Sequence, residues 1–143
     1  MQVQRVEKHC IKKNNPMWNI CDDLCFKAKD MFNYANYIQR QRFIAEKSIY
    51  KVNELDKLIN KSEPYIKLGS QASQRLLKQL DNAWKSFFVA IKDYSKNPSK
   101  YLGKPKLPSY KDKNGRLVRY SKQFLEEGFR KAGDRSINIL YAE

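Results

Sequence analysis

Glycine and proline are both scarce, five of each in 143 residues, and Gly69 is the only glycine between residues 16 and 95. Little in that stretch interrupts a helix. No apolar run approaches the roughly 20 residues a bilayer requires, which argues against a membrane span. The first ten residues, Met1 to Cys10, hold no apolar segment of the kind a secretory signal needs, so the expectation is a cytoplasmic protein. Three cysteines, an odd number, suit reduced thiols in such a compartment better than a disulfide framework. The single histidine, His9, has no serine or cysteine nucleophile set beside it. There is no glycine-rich phosphate loop, no internal repeat and no low-complexity tract. Acidic residues are few: 15 Asp and Glu against 29 Lys and Arg, a formal charge of +14.

What the chain has instead is basic charge together with rings. Aromatic residues make up 13% of it, more than a disordered polycation carries. Lysine and arginine match phosphates, and flat side chains match bases, so the pairing points to a folded nucleic-acid binder. One domain's worth of chain is enough to bury a core.

Composition divides the sequence into three segments. Residues 1–15 carry a net +3 and a partial alternation of Val3, Val6, Cys10 and Ile11, which predicts a strand. Residues 16–95 carry +4 and form the helical part. Residues 96–143 carry +7, with four glycines and three prolines. Asn14, Asn15 and Pro16 supply a helix start. Met17, Cys21, Leu24, Cys25, Ala28, Met31, Phe32, Ala35 and Ile38 then recur at three and four, an apolar stripe of five to six turns. Val52, Leu55, Leu58 and Ile59 predict a shorter helix that Pro64 and Gly69 end. Ser70 caps a third, reaching about Tyr94, with Leu77, Leu80, Trp84, Phe87, Phe88 and Ile91 on its buried side. Further on, Asn114-Gly115 between two β-prone runs (109–113 and 116–120) predicts a hairpin, and Ile137 to Tyr141 predicts a last strand.

Three clusters are candidates for binding. The strip from Lys96 to Lys122 holds nine basic residues and one acid, Asp112. Lys104, Lys106, Lys111, Lys113, Arg116 and Arg119, with Tyr110 among them, suit a phosphate track with a stacking platform; a solvated basic loop whose tyrosines pack on the core is the plainer reading. On the first helix, Tyr34, Asn36, Tyr37 and Arg40 stand close together and either contact bases and phosphates or leave Tyr34 half-buried and the rest in water. At the start of the third helix, Gln71, Gln74, Arg75 and Lys78 offer amides and positive charge where a helix N-terminus receives phosphate; an ordinary cap explains the same residues. His9, Cys10, Cys21 and Cys25 make a poor zinc set, since Cys21 and Cys25 are spaced as core residues and there are no two Cys-x-x-Cys pairs. Asp22-Asp23 and Glu126-Glu127 fall on solvated faces, so no metal-holding nuclease centre is expected.

The run Leu80-Asp-Asn-Ala-Trp-Lys-Ser-Phe-Phe88, followed by Asn97-Pro-Ser-Lys-Tyr-Leu-Gly-Lys-Pro-Lys-Leu-Pro-Ser-Tyr-Lys111, resembles the N-terminal part of TnpB proteins, the OrfB-type transposon-encoded relatives of type V CRISPR effectors. Asn33 to Arg40 fits the first long helix of that family, and the resemblance covers most of residues 1–125. It implies an α+β fold: a helical lobe of two long helices and a short one, inserted after the first strand of a partial β-barrel of the wedge or OB-like kind. In those terms residues 1–15 are the first wedge strand, 16–95 a helical recognition region of helix-turn-helix character, and 96–143 a basic linker, β-hairpin and barrel remainder. It implies as partners a guide RNA and duplex DNA, with the first-helix cluster and the start of the third helix toward the duplex and the basic strip toward nucleic-acid backbone. The family's RuvC-like acids and zinc-ribbon cysteines have no counterparts in this sequence. The expectation is therefore a prokaryotic, nucleoid-associated binding module without nuclease activity, metal or cofactor. The alternatives are a stand-alone helix-turn-helix protein binding duplex DNA, or one half of a split nuclease completed by a separately encoded partner.

Overall fold

In the computed structural model residues 11–117 are described, and residues 1–10 and 118–143 lie outside the description. Four helices follow one another: α1 over Trp18–Glu46, α2 over Val52–Ile59, α3 over Glu63–Leu68 and α4 over Ser70–Lys96, with a 3-10 turn at Pro98–Lys100.

Helix α1 begins two residues after Pro16. The Asn15 side-chain carbonyl accepts the Met17 N–H at 2.9 Å, and the Asn15 main-chain carbonyl accepts that of Trp18 at 3.0 Å. The helix continues for 29 residues, about 43 Å. It ends where Lys47 turns left-handed (φ 56°) and returns its N–H to the Phe43 carbonyl. The apolar stripe lands where its period placed it: Cys21, Leu24, Cys25, Ala28, Met31, Phe32 and Ala35 are all buried. Opposite them, α4 buries Ala72, Leu76, Leu77, Leu80 and Trp84.

Phe43, Trp84, Phe87 and Phe88 form one aromatic cluster, with ring centroids 5.4–6.0 Å apart in tilted and edge-on pairs. Leu55 and Ile59 of α2 and Tyr65 and Leu68 of α3 close the core. The Ser73 hydroxyl donates to the Tyr65 carbonyl across the sharp α3–α4 junction, where Gly69 takes φ 104°. None of these helices is long and apolar enough to cross a membrane.

The expected α+β architecture is not what forms. Among the described residues there is no strand and no part of a β-barrel. Residues 11–15 lead into α1 through a turn closed by Asn15 N–H on the Lys12 carbonyl, while the rest of the proposed 1–15 strand and the strand at 137–141 lie outside the described residues. Pro64 does not end α2, which stops earlier, at Ile59. It sits in the first turn of an additional helix, α3, where its missing N–H costs nothing. Ser70 is the first residue of α4 rather than its cap; Gly69 holds the cap position, with no side-chain bond.

The Asn114-Gly115 hairpin does not form among the described residues, and positions 118–120 of its second run lie outside them. A type I′ turn needs positive φ at both central residues, whereas Lys47 and Gly69 are the described residues with positive φ. Gly115 instead closes a turn as its last residue, donating to the Asp112 carbonyl at 2.9 Å. A Cβ there would approach that oxygen to 3.1 Å. Beyond this turn Arg116 and Leu117 are held by α1, not by residues 109–113.

Candidate nucleic-acid interface

The basic strip lies along α1, antiparallel to it, from Pro108 over Asn36 and Arg40 down to Leu117 at Cys25. Most of its attachments run from a helix side chain to a main-chain atom of the strip. The Asn36 amide and the Arg40 Nε both donate to the Pro108 carbonyl at 3.0 Å. Asn33 clamps Lys111 from both sides, its Nδ2 donating to the Lys111 carbonyl (3.0 Å) and its Oδ1 accepting the Lys111 N–H (2.8 Å). The Lys29 ammonium reaches the Lys113 carbonyl at 2.7 Å. Leu117 N–H donates to the Cys25 carbonyl at 3.1 Å, and Leu117 itself is buried. One pairing is between side chains: the Arg116 guanidinium holds both Asp22 oxygens at 2.8 and 3.2 Å while lying over the Phe26 ring.

Lys29 is the most deeply placed cation of this face, at 3% exposure. Its charge is met by Asp30 at 2.6 Å and by the Phe26 ring, whose centroid is 3.8 Å away. Burial of an unpaired ammonium would be prohibitive; paired, it fixes the strip where Lys113 crosses the helix. The same device recurs nearby. Gln39 donates to the Tyr50 carbonyl at 2.9 Å and accepts the Tyr50 N–H at 2.8 Å, pinning the segment between α1 and α2.

The structure thus joins two of the three sequence clusters and redistributes their members. Asn36 has no exposed surface; it donates to Pro108 and accepts the Trp84 indole N–H at 3.1 Å, so it links core and strip. Tyr34 is partly buried against the core. Tyr37 is half exposed. The Arg40 guanidinium stacks on Tyr110, 4.7 Å from the ring centroid.

Lys104, Lys106, Lys111 and Lys113 all present exposed side chains, and Lys111 Nζ also passes 5.1 Å over the Phe32 ring. Arg116 is exposed but engaged by Asp22, and Arg119 lies outside the described residues. On α4, Gln71, Gln74, Arg75 and Lys78 follow helical spacing along one exposed face, opposite the buried Ala72, Ser73, Leu76 and Leu77.

Sequence reasoning missed Asp22, Lys29, Asn33 and Gln39. The first three, with Asn36 and Arg40, form a polar row at steps of seven, four, three and four beside the apolar stripe, and that row was the available signal. Cys21 and Cys25 are buried and outside any disulfide, the former pushed up from its ordinary pKa by burial and then by its neighbour Cys25. Among the described residues no three His, Cys, Asp or Glu side chains come together as metal ligands. No family model matches the chain, and no curated protein or solved structure matches it.

Proposed function

We propose that this chain is a nucleic-acid-binding module of TnpB-like type, one that holds RNA and target-adjacent duplex DNA by its basic strip and does not cut them. One observation carries the reading: helix α1 takes up main-chain groups of the strip at Pro108, Lys111 and Lys113, and the side chains of Lys111 and Lys113 stay exposed, as do those of Lys104 and Lys106 before them. Held in this way, Lys111 and Lys113 meet a polyanion with less of the backbone ordering cost a free loop pays. The overall charge of +14 adds long-range attraction.

Replacing these four lysines by alanine tests the reading. Binding should weaken, and the slope of log K against log salt should fall by roughly 0.7–0.9 for each phosphate no longer neutralised. An unchanged slope overturns it. A second reading, a helix-turn-helix protein of duplex DNA, is favoured by the exposed row Gln71, Gln74, Arg75 and Lys78 directly after the Gly69 junction. Sequencing of RNA that co-purifies with the protein separates the two. One enriched structured transcript supports the first, and scattered RNA with tight binding to bare duplex supports the second.

A further inference from the structure

Where the strip crosses the middle of α1, two residues 70 positions apart in sequence meet. The Arg40 guanidinium lies over Tyr110, 4.7 Å from its centroid, and is held there by its own Nε bond to the Pro108 carbonyl. That bond uses one donor. The two terminal nitrogens of Arg40 bond to none of the described residues, and they form the planar fork that fits phosphate oxygens. Tyr110 remains 43% exposed despite the stacked cation. Tyr37, one turn before Arg40 on the same side of α1, is 50% exposed. Lys106 and Lys111, on either side of Tyr110 in the strip, are exposed as well. The result is an anion fork stacked on one half-exposed ring, with a second half-exposed ring one turn away on the helix.

That arrangement suits unpaired nucleotides better than a duplex. In a duplex the base faces are covered by their neighbours, so exposed tyrosines have nothing to stack on. In a single strand each base offers a face, and each aromatic stack contributes about 1–3 kcal/mol whatever the base. Resting on the binding function proposed above, we infer that Arg40, Tyr110 and Tyr37 form a single-strand clamp, in which the two rings stack on neighbouring bases and Arg40 holds the phosphate between them.

The test compares a fluorescent single-stranded oligouridylate with an RNA duplex of equal length, using the full chain and its Tyr110→Leu and Tyr37→Ala variants. Each variant should lose roughly 5- to 150-fold in affinity for the single strand, the range one aromatic stack supplies, and little for the duplex. Arg40→Lys keeps the charge but loses the fork, and should weaken the single strand too. Equal losses on both probes, or none, overturn the clamp. Because Tyr110→Leu also disturbs strip docking, a 5-iodouracil oligonucleotide is photocrosslinked to the unaltered chain. Adducts on Tyr110 or Tyr37 support the clamp, and adducts elsewhere alone overturn it. Failure of the unaltered chain to bind either probe removes the binding function and the clamp together. Salt-dependent binding with parental affinity in the tyrosine variants removes the clamp alone.

Discussion

Helix α1 makes two different kinds of contact on two faces. Toward α4 it meets side chains with side chains: Met31, Ala28 and Ala35 pack among Leu77, Leu80 and Trp84, and shape and apolar area decide the fit. Toward the strip it meets main chain with side chains: Asn33, Asn36, Lys29 and Arg40 take up carbonyls and an N–H. The first interface depends on the identity of both partners, whereas the main-chain bonds of the second depend on the identity of one, with Arg116 on Asp22 and Tyr110 under Arg40 as its side-chain pairs. This difference bears on what holds each region and on what a sequence displays of it.

The largest expected effect breaks the apolar side. Trp84→Ala removes a side chain with no exposure, along with its indole bond to Asn36. Denaturant unfolding should show a loss of about 3–5 kcal/mol, with helix and strip signals lost in one transition. Asn33→Ala acts on the other side alone. Lys111 loses both main-chain partners, and hydrogen exchange of the Lys111 amide should quicken roughly 5- to 10-fold, the equivalent of about one net hydrogen bond, while exchange in α4 stays unchanged. An equal acceleration in α4 would show that the two interfaces are a single cooperative unit.

The smallest effect lies at the far end of α4, where Asp93 anchors the turn that leads into the strip. Its carboxylate accepts from the Tyr101 hydroxyl, Lys100 and Asn97, and these bonds, the tyrosine's first, bring its pKa down to about 2. A depressed carboxylate stabilises the fold above its unfolded-state pKa and loses that contribution as pH falls through the folded value. Local order at Tyr101 should therefore hold at pH 4 and above and fade as pH descends toward 2. An NMR titration of the Asp93 carboxyl carbon, with the Tyr101 ring followed alongside, checks this. Asp93→Asn should remove the pH dependence of the ring.

The two kinds of interface also explain which parts of the molecule were legible in the sequence. Stripes at three and four positioned α1, α2 and α4 because apolar burial leaves a mark on both partners: Leu24 and Met31 on one helix, Leu80 and Trp84 on the other. The main-chain bonds that dock the strip left a mark on one partner only. Lys111 is held by atoms every residue except proline possesses, so nothing at position 111 announced the contact, and Asn36 looked like a side chain awaiting a base. The hairpin expectation failed on the same account. Residues 109–113 and 116–117 had the β propensity and the Asn-Gly dipeptide, but α1 offered their main chain other partners, including the Lys29 ammonium and the Cys25 carbonyl. Pro64 misled because a proline ends one helix and begins another with equal ease, and only the packing of Tyr65 and Leu68 into the core decided for the second.

The Asn33 clamp sets the strip free in another sense. An amide that grips a peptide group from both sides tolerates any residue at that position except proline, which has no N–H to offer. Exchange of Lys111 for glutamate, tryptophan or serine should therefore keep both bonds and lose only the ammonium over Phe32, and the cation at position 113, held by its carbonyl, should be as replaceable. The outward chemistry at positions 111 and 113 is in this way decoupled from the strip's attachment. Drift or design can rewrite what the surface recognises while the rail beneath it, and the helix core beneath that, stay as they are.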